Sequence, residues 1–202
     1  FAETFRFKLE GSTELIPLRF RGHVTGPSFK FDRKEIDFGD ASYSFPKKEY
    51  INLINTSPVS FRFSLWIPGD GPYEHREFEI HPQRDVINKG EQRTIEITFT
   101  PNTVKRYELT LKIDILGVGE GLFSIPIFAE SHVPIVKIRP NDVLDFGEEV
   151  FLRHPTTTSL ELVNESNLPA KFEIVPQSKE SKILAVYTTD RERGTIEKNS
   201  TL

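Results

Sequence analysis

The phrase Glu35-Ile36-Asp37-Phe38-Gly39-Asp40 returns as Val143-Leu144-Asp145-Phe146-Gly147-Glu148, with Phe38 and Phe146 108 positions apart. The match widens in both directions. Residues 27–39 align with 134–147 once one inserted residue is allowed, while 55–65 align with 164–174 and 16–24 with 125–133, both at an offset of 109. Residues 85–92 are echoed faintly by 194–201, with Ile87 and Ile196 again 109 apart. Four segments holding a spacing of 108 or 109 point to a duplicated unit. Solenoid repeats run at roughly 20–50 residues, so a period this long is that of whole domains. The register predicts the last strands of one domain in residues 1–26, a complete domain in 27–133, and an incomplete domain in 134–202 that lacks counterparts of 97–133.

Inside the complete unit, apolar side chains recur with period 2. Ile95, Ile97 and Phe99 alternate with Thr94, Glu96 and Thr98. Tyr107, Leu109, Leu111, Ile113 and Ile115 alternate with Glu108, Thr110, Lys112 and Asp114. Such alternation describes antiparallel strands with one buried and one wet face. Turn signals divide the runs, among them Asn55-Thr56-Ser57-Pro58, Asn88-Lys89-Gly90 and Gly117-Val118-Gly119. Seven or eight such strands in one unit predict an all-β chain of tandem immunoglobulin-like β-sandwiches. Pro17 and Pro126 fall at matching places in the final strand of their units. A proline cannot donate to a ladder, so that strand is expected to lie at a sheet edge or to bulge there.

Composition removes several kinds of chemistry. With no cysteine, the chain can form neither a disulfide nor a thiolate metal site. The net charge of −4 works against bulk attraction to nucleic acid or anionic lipid. No apolar run reaches the roughly 20 residues of a membrane-spanning helix. There is no methionine, even at position 1, and the chain is expected to be a piece of a longer protein.

Several motifs overlap with those of chemical sites. Three triplets, at Asn55, Asn164 and Asn199, satisfy the glycosylation sequon, but Asn55 and Asn164 hold equivalent places in the repeat and are expected to be architectural. His23, His75, His81, His132 and His154 form no helical pair with a glutamate between them; His23 and His132 are expected to orient the links between units. The glycines of residues 115–123 lack the Lys-Ser/Thr of a phosphate loop and read as a hairpin turn. Residues 68–72 offer one carboxylate, too few for a calcium cage. The expectation is no catalytic residue, no cofactor and no metal.

The residues left over suggest architecture and contact. Phe38 and Phe146 are expected to plug the sandwich end, with Gly39 and Gly147 turning the chain. Asn55 and Asn164 would close a strand by bonding neighbouring backbone. Phe61, Phe63, Leu65 and Ile67 take the core side of their strand, which leaves Trp66 outward beside Arg62. An outward Trp with an Arg is a common partner contact; alternatively the 68–78 loop covers it. Lys30, Arg33, Lys34, Lys47 and Lys48, with Arg19 and Arg21 near in sequence, form the densest basic cluster, either a solvated face or a contact for acidic tails.

Asp37-Phe38-Gly39, Asn55-Thr56-Ser57, Phe61-Arg62-Phe63 and Phe99-Thr100-Pro101 together resemble the ASH domain, named for ASPM, SPD-2 and Hydin and related to the major-sperm-protein and pilus-chaperone sandwiches. In the incomplete unit the matching residues are Asp145-Phe146-Gly147, Asn164-Glu165-Ser166 and Phe172-Glu173-Ile174, with Leu168-Pro169-Ala170 replacing Val59-Ser60-Phe61. The resemblance implies a non-enzymatic scaffold in the central-pair apparatus of the motile-cilium axoneme. Its implied partners are other central-pair proteins and tubulin, with no role for nucleic acid or membrane. The competing expectation is an adaptor that takes a peptide at a sandwich edge or basic groove.

Overall fold

The computed structural model describes residues 1–70, 76–141, 143–180, 182 and 185–202. No α-helix occurs among them. Strand β1 (Ala2–Lys8) pairs with β2 (Leu15–Arg21) as a two-stranded antiparallel ribbon. Nine strands follow: β3 (Phe29–Phe31), β4 (Ile36–Ser42), β5 (Lys47–Asn55), β6 (Phe61–Trp66), β7 (Phe78–His81), β8 (Arg84–Ile87), β9 (Gln92–Phe99), β10 (Arg106–Ile115) and β11 (Gly119–His132). They form a five-stranded sheet in the order β4-β11-β10-β6-β8 and a four-stranded sheet in the order β3-β5-β9-β7.

The alternation read from the sequence sets which side chains meet between these sheets. Phe61, Phe63, Leu65, Leu111, Ile113, Ile125 and Ile127 come from the larger sheet, and Ile51, Leu53, Ile95, Ile97 and Phe99 from the smaller; all are buried in one core. Phe38 joins them at 1% exposure, against Phe99 (ring centroids 5.4 Å apart) and Phe78 (5.8 Å). The fold is an immunoglobulin-like sandwich.

Nine strands exceed the expected seven or eight because two runs are broken. The run from Phe29 to Ser42 changes sheets: Asp32 accepts from the Asn52 backbone N–H and side-chain amide, each at 2.8 Å, and pins the chain to β5 before it crosses. The run from Phe78 to Ile87 likewise divides between the two sheets.

The proline expectation is corrected for Pro126. Strand β11 is interior, with antiparallel β10 on one side and parallel β4 on the other. Its register shift falls between Phe128 and Glu130, not at the proline. Pro126 is accommodated because it opposes Thr110 at a site without ladder bonds: Ser131 N donates to Lys105 O, which places bonded pairs at odd-numbered residues of β11. The β4 partner begins at Ile127, so nothing is lost on that side either. For Pro17 the expectation holds: β2 is an edge strand of the two-stranded ribbon, and Pro17 faces Arg6 at a site without ladder bonds, since Gly22 N donates to Phe1 O.

After β11 come β12 (Val136–Arg139), β13 (Glu161–Asn164), β14 (Ala170–Glu173), β15 (Arg193–Ile196) and β16 (Ser200–Thr201). They repeat earlier pairings. Ala170 faces Ile196 as Phe61 faces Ile87, and Val163 faces Thr201 as Ile54 faces Gln92, every residue shifted by 109. Val136 faces Asn164 as Phe29 faces Asn55. The repeat is therefore one of strand register as well as wording.

Candidate interaction surface

Asn55 and Asn164 are each 1% exposed. The Asn55 amide donates to the carbonyls of Val59 (2.8 Å), Asn88 (3.0 Å) and Ile87 (3.3 Å), and its oxygen accepts from Ser57 N and Oγ. Asn164 donates to Leu168 (2.8 Å), Glu197 (3.1 Å) and Ile196 (3.3 Å), and accepts from Ser166 N and Oγ. An amide this committed has no nitrogen left for a glycan. Asn199, by contrast, is exposed.

The Asp-Phe-Gly phrase also repeats locally. Gly39 N donates to Asp37 Oδ1 at 2.7 Å and Gly147 N to Asp145 Oδ1 at 2.8 Å, and both glycines have positive φ, 56° and 92°. The phenylalanines differ. Phe38 is a core residue on β4, whereas Phe146 is outside any strand, half-buried, and set at a tilt to the Tyr187 ring at 6.0 Å. The expectation that Phe146 plugs a sandwich end is corrected: among the described residues no strand pairs as β4 does with β11 to supply the opposing wall.

Trp66 lies on the outer face of the larger sheet, 37% exposed. Its Nε1–H donates to Asp114 Oδ1 at 3.0 Å, and the Lys112 ammonium sits 5.3 Å from its ring. The neighbours that hold it come from β10, which pairs with β6. Within the proposed covering loop, residues 71–75, with His75 and the Gly71-Pro72 part of the glycine-proline turn, lie outside the described residues. Asp70 is turned inward and accepts from Glu77 N at 3.0 Å, and burial raises its carboxyl above the ordinary range. It serves the loop's closure.

The basic cluster assembles only in part: Arg33 reaches Glu49, next to Lys48, while Lys30 stands apart. Lys30 stands opposite Ile54 at one end of β5, and Lys48 lies six residues along, roughly 20 Å away at 3.3 Å per residue. Arg33 pairs with Glu49 (3.1 Å), Lys48 with Glu96 (2.7 Å), and Lys47 donates to Asp40 O (2.9 Å). Lys34 is exposed, and Arg19 and Arg21 belong to the separate β1–β2 ribbon. Nearness in sequence misled for Lys30 because the antiparallel register of β3 on β5 sets it at the far end of β5 from Lys48.

The glycines of residues 117–121 form the β10–β11 hairpin, as expected. His132 turns its Nε2 towards Asp40 (3.2 Å) and Glu130 (3.7 Å) on the exposed face.

Sequence reasoning missed two features. One is a corner: the Tyr107 hydroxyl, buried, lies 2.5 Å from Glu77 Oε1 and 2.9 Å from Thr103 O, while Glu77 also accepts from Asn102 N at 2.8 Å. The other is a contact between the β4–β5 turn and β14. Ser42 Oγ donates to Pro169 O (2.5 Å), and Lys171 Nζ donates to Ser44 O (2.7 Å) while resting 4.8 Å from the Phe45 ring. The one legible signal for it was a cation at the same repeat position twice, Arg62 and Lys171.

Residues 27–121, which hold most of the larger sandwich, match the model of the HYDIN/CFA65/VesB-like, Ig-like domain family. The likeness is to this family's Ig-like domain. Over its whole length the chain is 32% identical to the Hydrocephalus-inducing protein homolog of Homo sapiens and 31% identical to the Hydrocephalus-inducing protein of Mus musculus. It spans 4% of the length of each. Among solved structures it is similar to the ASH/PapD-like domain of human CEP192, with a TM-score of 0.43 and 13% identity over 55% of this chain and 94% of that one. It is also similar to WR4, a C. elegans MSP family member, with a TM-score of 0.35 and 9% identity over 52% of this chain and 97% of that one. Asn55, Phe38 and the Ser42–Phe45 turn all fall within the matched residues.

Proposed function

We propose that this chain is a length of a non-enzymatic mechanical scaffold, a rod of tandem immunoglobulin-like sandwiches in the central-pair apparatus of the motile cilium. The observation that carries the reading is the register-for-register repeat of pairings and asparagine networks at an offset of 109, joined by the Ser42–Pro169 and Lys171–Ser44 contacts. On this reading residues 1–26 close a preceding sandwich, 27–133 are a complete one, and 134–202 begin the next. The β1–β2 ribbon supports the first boundary. Phe5, Phe7, Ile16 and Leu18 are about half exposed on one face. Measured from the matching prolines, they occupy the places of Leu109, Leu111, Ile125 and Ile127, which face the core of the complete sandwich.

A rod under bending load needs joints of limited freedom. Here His132 and Pro134 are two residues apart and the β4–β5 turn is bonded across the joint, far from the regime of a Gly/Ser tether. The adaptor alternative is weaker. At the open edge of β8, Val86 N–H already bonds Asp85 and Val86 C=O already accepts from Arg93, so the edge offers little to an added strand. With the basic residues only partly gathered, the scaffold's partners are other central-pair proteins before tubulin.

The test is a tagged full-length protein in ciliated cells. The expected result is signal along the axoneme centre and loss of coordinated beating when this stretch is deleted. Normal beating without it, or signal outside the axoneme, would overturn the assignment.

A further inference from the structure

We infer that Arg62 and the apolar groove beside it form the docking site for the β4–β5-type turn of the preceding sandwich, so that each joint in the rod is closed by the same two-part contact. The inference rests on the tandem reading above and adds to it the residues that set each joint.

The joint after β11 supplies the pattern. Its donor side is a turn, held to its own sandwich by Tyr43 N to His132 O and Ser44 N to Pro101 O. That turn presents a carbonyl and an aromatic ring to Lys171, and a serine hydroxyl to the carbonyl of Pro169. Shifted back by 109, Pro169 becomes Ser60 and Lys171 becomes Arg62. The strand pairing makes the shift structural, since Ala170–Ile196 and Phe61–Ile87 are the same register.

Two observations at the shifted position point to an occupant. Arg62 is exposed, and among the described residues its guanidinium has neither an ion pair nor a hydrogen bond, although the equivalent Lys171 is fully engaged. Beside it lies a groove of about 460 Å³ lined by Pro27, Ser60, Phe61, Val86, Leu116 and Val118. Leu116 is 73% and Val118 53% exposed there, on the side of the sandwich from which the β2–β3 link arrives. A guanidinium accepts both ligands the pattern requires: it donates to a carbonyl and lies over an aromatic face.

The link itself leaves the angle to this contact. Four positions separate His23 from Pro27, against two from His132 to Pro134. The two extra residues add up to about 7 Å of reach. A joint with that slack is fixed by what docks, not by its length.

The experiment uses a longer stretch of the natural protein, extended towards the N-terminus by one repeat. Residual dipolar couplings report the alignment tensor of each sandwich. The expected result is one shared tensor across the first joint, separation of the two tensors by at least twofold in magnitude in Arg62→Glu, and retention of the shared tensor in Arg62→Lys. Lys171→Glu should release the second joint and leave the first unchanged. If the added residues fold as a sandwich and Arg62→Glu leaves the tensors shared, the docking site is overturned and the tandem reading stands. If the added residues form no sandwich, both fall.

Discussion

The amide of Asn55 and the amide of Asn164, 109 residues apart, bond the same three carbonyl positions, and each accepts from a serine two residues on. Each asparagine thereby ties the end of one strand to the turn after the next sheet crossing. Replacing Asn55 with Ala would remove the amide shared by the Val59, Ile87 and Asn88 carbonyls and the buried acceptor of Ser57 N, although Val59 O keeps Ser57 Oγ and Asn88 O keeps Glu91 N. A lost donor of this kind costs about 1–3 kcal/mol. Asn55→Asp should cost more, because it also buries a charge against three carbonyl oxygens. Urea unfolding of the two variants, followed by tryptophan fluorescence of the single Trp66, gives the order directly.

Phe38 and Phe146 share a phrase but not a surrounding, and their truncation should separate them. Phe38→Ala empties a site walled by Phe78 and Phe99 and is expected to cost about 3–5 kcal/mol. Phe146→Ala removes a half-buried ring with Tyr187 as its aromatic neighbour, and the loss should stay near 1 kcal/mol. Equal losses in denaturant titration would contradict the placement of Phe146 outside a core.

What the sequence discloses here is whatever depends on neighbours within one strand or on the repeat. Period 2 places Leu65 inward and Trp66 outward, and the offset of 109 locates both asparagines. Contacts set by sheet order are hidden. Trp66 meets Asp114 across 48 residues, and Lys171 meets Ser44 across 127. The basic cluster came together only in part for the same reason in reverse, because the antiparallel pairing of β3 with β5 sets Lys30 opposite Ile54 while Arg33 reaches Glu49. Pro126 shows a third case: its tolerance depends on which residues of β11 carry ladder bonds, and only the pairing with β10 decides that.

Glu96 stands between Lys48 (2.7 Å) and Tyr50 (3.0 Å) on neighbouring strands β9 and β5. Hydrogen bonds from both hold its carboxyl below the ordinary glutamate range. A depressed carboxyl contributes stability above its unfolded value, about 4.3, and loses it as pH falls through the lower folded value. Its two bonds raise Lys48 and Tyr50 respectively, whose contributions are full below their ordinary values near 10 and fade as pH rises through the raised folded values. The stability profile of the wild type should therefore dip below pH 4.3 and above pH 10 more than that of Glu96→Gln. All three groups are exposed at the surface, so the difference will be small and is best read by NMR titration of the Glu96 carboxyl carbon.

Tyr107 anchors the stretch between β9 and β10 to the end of the 68–78 loop. Its hydroxyl has one proton for two acceptors, Glu77 Oε1 and Thr103 O, while the Lys105 ammonium lies 4.6 Å from its ring and 3.7 Å from Glu77 Oε2. Burial, then the bond to Glu77, pushes the phenol well above its usual value near 10. A phenol raised in this way stabilises the fold below pH 10 and ceases to do so only as pH climbs past the folded value. In an alkaline absorbance titration of the five tyrosines, one should therefore fail to ionise until the protein unfolds, and Tyr107→Phe should remove that late step. The same variant leaves Glu77 with Asn102 N and Lys105, so its stability should fall by about 1–2 kcal/mol, less than for a buried carboxylate left with no partner. Ionisation of all five tyrosines in one early step would mean that the Glu77–Tyr107 bond does not form in solution.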